Sequence, residues 1–216
     1  MQYRLEIDGK VAAAASNLPF VDYMPPRDPM DWNGLVLVGE APGKEEVRLG
    51  KPFVGRSGQL LNEILGEAGI DRSRCLVANV FRYQPPGNKV DHFFASQRAA
   101  AQKGKDIDTN LGRFGSQWCL SSFASEIKHL KLTLESYKKN GTCRMILVAL
   151  GRTPFWALTG ENGLLTKTGQ RFDCRLLPET AVIPTFHPSF ILRGNWGKRP
   201  EWLSHFIAAA QHVARK

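Results

Sequence analysis

The stretch Leu35-Val36-Leu37-Val38-Gly39-Glu40-Ala41-Pro42-Gly43 decides the fold of this chain. An apolar run that ends in a Gly/Pro-rich turn with one carboxylate is typical of a buried parallel strand that delivers a polar group at its carboxyl end. A second such run, Ala181-Val182-Ile183-Pro184-Thr185, is followed closely by His187. Because ligands bind at the carboxyl ends of the strands of open α/β sheets, Glu40 and His187 are predicted to meet in one pocket.

The remaining pattern alternates strands and helices. We predict strands over residues 35–38, 75–79, 145–150 and 181–186, and helices over 57–68, 120–140 and 200–214. Thr153 is predicted to cap a further helix that has Pro154 in its first turn. This order predicts an α/β fold, a three-layer α/β/α sandwich with a central four-stranded parallel sheet.

The chain is expected to form one domain over residues 1–216. Its prolines predict an irregular N-terminal segment over 1–30. Residues 89–118 are polar, basic and glycine-containing, which predicts a long loop or a partly helical insertion.

Composition narrows the class of partner. The chain has 216 residues, 43% of them hydrophobic, and a net charge of +9, which favours a polyanionic partner, with a solvated basic surface as the alternative. The N-terminus lacks the apolar core of a signal peptide, and no apolar run approaches the ~18 residues that indicate a membrane span. We therefore expect a monomeric cytoplasmic protein, associated with the nucleoid if bacterial, that does not bind a membrane.

The cysteines do not have the spacing of metal ligands. None of Cys75, Cys119, Cys143 and Cys174 forms a CxxC pair, whereas zinc and iron–sulfur sites usually draw on clustered ligands. We predict reduced, mostly buried thiols and neither a metal nor another cofactor.

Five segments in order resemble the uracil-DNA glycosylase superfamily, and most closely its family 4. They are residues 39–46 (GEAPGKEE), 50–58 (GKPFVGRSG), Asn79-Val80, 85–88 (PPGN) and 187–189 (HPS), and the resemblance runs from about residue 34 to the C-terminal helix. It implies a monofunctional enzyme that flips deoxyuridine out of single- or double-stranded DNA and hydrolyses its N-glycosidic bond. The products would be free uracil and an abasic site in base excision repair.

The resemblance also implies a role for each pocket residue. Glu40 would position the water and favour the developing sugar cation, because an Asp of the best-known motif is replaced here by Ala41. His187, as a neutral imidazole, would donate to O2 of the departing uracil. Asn79 would pair with O4 and N3–H of the base, Phe53 would stack on it, and Glu46 would lie near it. The alternatives are a turn carboxylate, a core histidine, a turn asparagine and a core phenylalanine.

A further set is predicted to contact DNA. The Gly-rich turn and the start of the first helix suit a phosphate, and the apolar residues that follow the His motif would fill the gap left by the flipped base, beside a cation. The alternative is that those apolar residues pack under their loop. The set comprises Gly43, Lys44, Arg56, Ser57, Ser189, Ile191, Leu192 and Arg193.

Two features depart from the family pattern. Family 4 usually carries an iron–sulfur cluster, but here the N-terminal segment has no cysteine, Tyr83 stands in the third ligand place and only Cys119 remains. We predict that aromatic and apolar packing around Tyr83 replaces the cluster. The second departure is the length of residues 89–118, where a relative traps DNA covalently through a loop histidine. His92 as a nucleophile is a minor hypothesis beside simple DNA contact or a solvated loop.

Other functions stay open at this point. The same fold could act on hypoxanthine, xanthine or a thymine mismatch, or it could bind uracil or abasic DNA without turnover. A nucleotide-binding domain unrelated to DNA is disfavoured, because the sequence contains neither GxxxxGK[ST] nor GxGxxG.

Overall fold

The computed structural model describes residues 17–140 and 144–214. Its strands are β1 (Leu35–Gly39), β2 (Leu76–Asn79), β3 (Phe94–Ala95), β4 (Ile107–Phe114), β5 (Gln117–Leu120), β6 (Ile146–Leu150), β7 (Phe172–Asp173) and β8 (Ala181–Thr185). Its α-helices are α1 (Lys44–Leu49), α2 (Arg56–Glu67), α3 (Gln97–Gln102), α4 (Ser121–Asn140), α5 (Arg152–Thr159), α6 (Pro188–Leu192) and α7 (Arg199–Ala214). Short 3₁₀ turns join several of them.

The central sheet contains the four predicted parallel strands. The strand order is β2-β1-β6-β8-β7, with β1, β2, β6 and β8 parallel. Every residue of these four strands is buried, because helices or loops cover both faces, and this explains their nearly unbroken apolar sequences. The predicted count of four is one short, since β7 adds an antiparallel edge strand whose two residues are too few to show a period.

The two faces of the sheet carry separate apolar cores, as a three-layer sandwich requires. One core packs α2, α6 and α7 against the sheet through residues such as Leu61, Trp202 and Phe206. The other core packs α4 and α5 through residues such as Leu130 and Trp156. Within the described residues, no helix is both long and apolar enough to cross a membrane.

The segment 89–118 is partly helical, as predicted, but it also contains strands that were not predicted. It contains α3 and most of an antiparallel sheet of order β3-β5-β4, whose inner side buries Phe94 and Phe114, 4.5 Å apart between ring centroids. A register shift between Asp108 and Arg113 breaks the strand alternation. This irregularity hides the two-residue period on which strand prediction depends.

The N-terminal segment, from residue 19 onward, runs along the edge of β2. Its backbone bonds include Met24 N to Val77 O and Val21 N to Arg82 O, both 2.8 Å. Residues 1–16 lie outside the described residues.

A buried charge cluster fastens that segment to α4. Arg82 Nη2 donates to Glu126 Oε1 at 2.9 Å, and its Nε and backbone N both donate to Glu126 Oε2 at 3.0 Å. Its Nη1 donates to His129 Nε2 at 3.2 Å, and its guanidinium lies 5.4 Å from the ring centroid of Tyr23. We name Arg82, Glu126, His129 and Tyr23 the Arg82 cluster. The prediction of purely aromatic and apolar packing here was incomplete: Phe20 does contact Tyr83 edge-on at 5.3 Å, but ion pairing lies at the centre.

The three described thiols are not grouped as the ligands of an iron–sulfur cluster would be. Cys75, Cys119 and Cys174 are buried and free, as predicted, and burial raises the pKa of Cys119 to about 12. No three His, Cys, Asp or Glu side chains within 17–140 and 144–214 could together hold a metal ion. Cys143 lies outside the described residues.

Candidate active site

One pocket of about 1090 Å³ lies at the carboxyl ends of the parallel strands. Glu40 and His187 both line it, so the predicted meeting of these two strand ends is confirmed. The pocket also takes in most of the other predicted residues: Ala41, Gly43, Glu46, Phe53, Ser57, Asn79, Ser189 and Arg193.

Glu40 is a mostly buried carboxylate with one hydroxyl partner. Thr153 donates from Oγ1 to Glu40 Oε2 at 2.5 Å. Burial raises the pKa of Glu40, against the opposing effects of the Thr153 hydrogen bond and the Arg152 charge. One donor leaves most of the lone pairs of a carboxylate available, so Glu40 can hold a water or face a developing positive charge.

Thr153 was predicted as a helix cap, and this prediction was wrong. The N-cap of α5 is Gly151, at φ 108, a backbone conformation that favours glycine. A Cβ at position 151 would lie 3.3 Å from His187 Cβ. The turn therefore brings β6 close to His187 and frees the Thr153 hydroxyl for Glu40.

His187 is held as a neutral imidazole with a defined tautomer. It is the N-cap of α6, and its Nδ1 accepts from the backbone N–H of Ser189 at 3.1 Å. Because a backbone N–H can only donate, the ring proton lies on Nε2. Burial, followed by the Arg193 charge, lowers the pKa of His187 to about 4. The imidazole is thus neutral at pH 7, with Nε2–H as its donor.

The Ser189 hydroxyl is hydrogen-bonded to the imidazole of His187. Its Oγ lies 2.7 Å from His187 Nδ1 and accepts from Arg193 Nη1 at 3.1 Å. The Ser189 hydroxyl, which was predicted to contact DNA, is therefore already hydrogen-bonded to these two side chains, while Arg193 is exposed and lines the pocket.

Asn79 and Phe53 approach each other over Gly39. A Cβ at position 39 would lie 2.4 Å from Asn79 Oδ1 and 2.5 Å from Phe53 Cζ, so only glycine lets both side chains reach the pocket. Phe53 has a left-handed backbone, φ 52, and its ring centroid lies 5.9 Å from that of His187. A Cβ at Gly58 would lie 1.9 Å from Phe53 O. Left-handed backbone at a bulky residue is strained and is found at functional sites.

Glu46 lines the pocket but its oxygens bind backbone. It accepts from the N–H groups of Gly43 (3.2 Å), Val54 (3.2 Å) and Gly55 (3.4 Å). Glu46 thus lies at the pocket, as predicted, and its carboxylate joins the turn after β1 to the loop before α2.

The predicted DNA contacts divide into two groups. Lys44 and Arg56 are exposed beside the pocket lining rather than in it, and Ser57 lines it from the first turn of α2. Ile191, in contrast, is 0% exposed, and Leu192 packs partly buried against the same core. The packing alternative is therefore right for Ile191, whose side chain cannot enter DNA.

Several lining residues were not predicted as site residues, among them Asn88, Gly115, Arg152 and residues 162–166. Asn88 ends the PPGN segment, whereas the others carry no local motif, and the antiparallel sheet and α5 bring them to the pocket. His92 does not line it, and instead packs edge-on against Phe123 at 5.9 Å. This placement gives the nucleophile hypothesis no support.

Comparisons with known proteins identify the family. A family model described as the uracil DNA glycosylase superfamily matches residues 31–211. A type-4 uracil-DNA glycosylase of Thermotoga maritima is 34% identical over 163 residues, 74% of this chain and 67% of that protein. Proteins of the same description from Sulfurisphaera tokodaii (28% identical; 76% of this chain, 80% of that protein) and Archaeoglobus fulgidus (35%; 43% and 50%) are also similar.

Proposed function

The chain belongs to the uracil DNA glycosylase superfamily, and from this premise we propose that it is a uracil-DNA glycosylase of base excision repair. The observation that carries the proposal is the pairing of a mostly buried carboxylate, Glu40, with a neutral imidazole, His187, in one pocket. An imidazolium would be the stronger acid. A neutral imidazole can nevertheless donate a hydrogen bond throughout the reaction while keeping its proton.

Recognition of the base would use Asn79 and Phe53. The Asn79 amide offers one donor, for uracil O4, and one acceptor, for N3–H. Cytosine presents the opposite pattern, which the same amide orientation rejects. The Phe53 ring would stack on the flipped base, and the closeness of both side chains to Gly39 fixes their spacing.

Bond cleavage would then separate charge across the pocket. As the C1′–N1 bond breaks, its electron pair moves onto uracil, and the Nε2–H of His187 stabilises the negative charge on O2. Glu40 faces the positive sugar and holds the water that adds to C1′. The proton of that water passes to the carboxylate, and the raised pKa of Glu40 suits it to accept this proton.

Binding of DNA would rest on the basic balance of the chain. Its net charge is +9, and Lys44, Arg56 and Arg193 are exposed around the pocket. All of these groups come from one chain, which supports action as a monomer. The DNA substrate supports a cytoplasmic location, at the nucleoid if the source is bacterial. Affinity is expected to fall linearly on a plot of log affinity against log salt.

The test is a set of matched oligonucleotides that carry U, T, hypoxanthine or xanthine at one position. We expect release of uracil with multiple turnovers and little release of the other bases. Preferential release of hypoxanthine or xanthine would instead support another base specificity within the same fold. Stoichiometric binding without release would overturn the enzymatic proposal.

A further inference from the structure

Leu165 is an exposed apolar residue that lines the pocket. Its side chain is 67% exposed, and it lines the pocket. The other strongly exposed apolar side chains in the described part of the chain, such as Met30, Leu49 and Trp196, do not line it. Ile191, one of the residues predicted to enter DNA, is buried. Leu165 is instead an apolar side chain that is exposed at the pocket, and its exposure needs an explanation.

Leu165 stands on the rim opposite Arg193. Leu164 belongs to the apolar core shared with α4 and α5, whereas Phe190 and Ile191, beside Arg193, belong to the core shared with α2 and α7. These cores lie on opposite faces of the sheet, and the pocket opens at the strand ends between them. DNA whose nucleotide enters the pocket would therefore meet Leu165 on one side of the opening and Arg193 on the other.

The loop that carries Leu165, residues 160–166, is firmly held. Asn162 accepts from Gly115 N–H at 2.9 Å through Oδ1 and donates to Arg113 O at 3.0 Å through Nδ2. Leu164 is buried, and Lys167, directly after the loop, pairs with Glu161 at 2.6 Å. The exposure of Leu165 is thus imposed by the fold, as is needed for a side chain that must push against another molecule.

Cations lie beside this loop. Arg113 and Arg152 are exposed, and the Arg152 guanidinium is fixed over the Phe114 ring at 5.1 Å. An apolar tip next to cations is the arrangement by which proteins unstack bases while holding the flanking phosphates. An exposed peptide-binding patch would not require these charges.

We propose that Leu165 inserts into the base stack of double-stranded DNA beside the flipped nucleotide and holds the duplex open. This inference rests on the proposed function and assigns the wedge to the loop after α5 instead of to Ile191 or Leu192. Leu165 is a positioning residue, since it touches neither the base nor C1′. A single strand has little stacking to disrupt, so the contribution of Leu165 is specific to the duplex.

The experiment compares Leu165→Ala, Leu165→Met and wild type on the same uracil in duplex and in single-stranded DNA. Leu132→Ala is the matched control, because Leu132 is also exposed, at 40%, but lies on α4 and does not line the pocket. We expect Leu165→Ala to lower duplex cleavage by about 10-fold, with single-strand cleavage within about twofold of wild type. Leu165→Met should restore duplex cleavage, and all variants should keep the wild-type unfolding midpoint.

A second readout is 2-aminopurine placed next to the uracil of the duplex. Its fluorescence should rise when wild type binds, and Leu165→Ala should reduce that rise. Equal losses on both substrates, or unchanged duplex cleavage and fluorescence, would overturn the wedge while leaving the glycosylase intact. A wild type that cleaves only single strands would also overturn it, and one that cleaves neither substrate would refute the proposed function itself.

Discussion

Glu40 is a partly buried carboxylate and Glu126 a fully buried one, and their surroundings are opposite. Glu126, 0% exposed, accepts three hydrogen bonds from Arg82, one of them from the backbone. Glu40 has the Thr153 hydroxyl as its side-chain partner, and burial raises its pKa. A buried charge that is fully paired is structural, whereas one that is incompletely paired is ready to react.

Two of the histidines, His129 and His187, show the same difference. His129 accepts from Arg82 and belongs to the cluster that fastens the N-terminal segment. The His187 ring is fixed from behind by Ser189, which leaves its Nε2–H for a ligand. In both comparisons one side chain is paired within the fold and the other faces the pocket, so the partners, not the residue type, separate structure from chemistry.

The largest expected effect is on stability at the Arg82 cluster. Glu126→Gln removes the negative partner of a buried guanidinium, so we expect a loss of about 3–5 kcal/mol in the free energy of unfolding, measured by urea denaturation. Arg82→Met should cost a similar amount. Glu135→Gln is the control, because Glu135 is exposed and pairs with Lys131 at 3.8 Å, an interaction worth at most about 1 kcal/mol.

A double variant sharpens this prediction. Arg82→Met combined with Glu126→Leu leaves no buried unpaired charge, since Asp22, the other partner of Arg82, is exposed, and should be more stable than either single change. If Glu126→Gln proved as mild as the exposed control, the ion pair would not hold the N-terminal segment, and the structural side of the comparison would fail.

The next effect is on catalysis at the pocket. Glu40→Gln and His187→Ala should each lower the single-turnover rate of uracil release by at least ~10²-fold, as expected for lost transition-state electrostatics. Circular dichroism should show an unchanged fold. Glu135→Gln should cleave at the wild-type rate, and near-wild-type rates in both pocket variants would dismiss the site.

The sequence predicts those features of the fold and the site that depend on short continuous motifs. Four uninterrupted apolar runs predict the parallel strands, and the polar residues that end them predict the meeting of Glu40, Asn79 and His187. A strand end has a fixed position in a parallel sheet, so that local pattern carries three-dimensional information.

The missed features depend on pairing between distant segments. Glu126 looks like an ordinary polar position of an amphipathic helix until Arg82 is placed against it, and Thr153 looks like a cap until Gly151 takes that place. Leu165 has no local signal, because its position on the rim depends on Asn162 reaching the turn at Gly115. The antiparallel sheet was missed because its alternation is broken by a register shift.

A smaller effect is the pH dependence of cleavage. The reaction needs Glu40 ionised and His187 neutral, and the pKa of His187 is lowered to about 4 while that of Glu40 is raised. As the pH falls, the Glu40 carboxylate is therefore protonated before the imidazole. As the pH is lowered, the single-turnover rate should fall through one protonation step, and its midpoint should lie above the ordinary pKa of a glutamate, about 4.3. A separate step near pH 6.5 would show that the imidazole titrates like an exposed one and contradict its burial.

The smallest expected effect is on the free energy of unfolding, which the buried charge of Glu40 lowers at neutral pH. Its pKa is higher in the folded than in the unfolded protein, so the folded state binds more protons between the two values and stability falls as the pH rises through that window. At neutral pH the full penalty for the buried charge is present, and at acid pH it is gone.

Glu40→Gln removes this penalty and can still accept the Thr153 hydroxyl. We expect the variant to unfold at higher urea concentration than wild type at pH 7.5, with the difference shrinking toward zero near pH 4. His187, with its lowered pKa, makes both proteins less stable as the pH falls below about 6.5, and this shared loss cancels in the comparison. A Glu40→Gln protein that is less stable at neutral pH, or a pH-independent gain, would mean that Glu40 is as well compensated as Glu126. The contrast between the two carboxylates would then have no energetic basis.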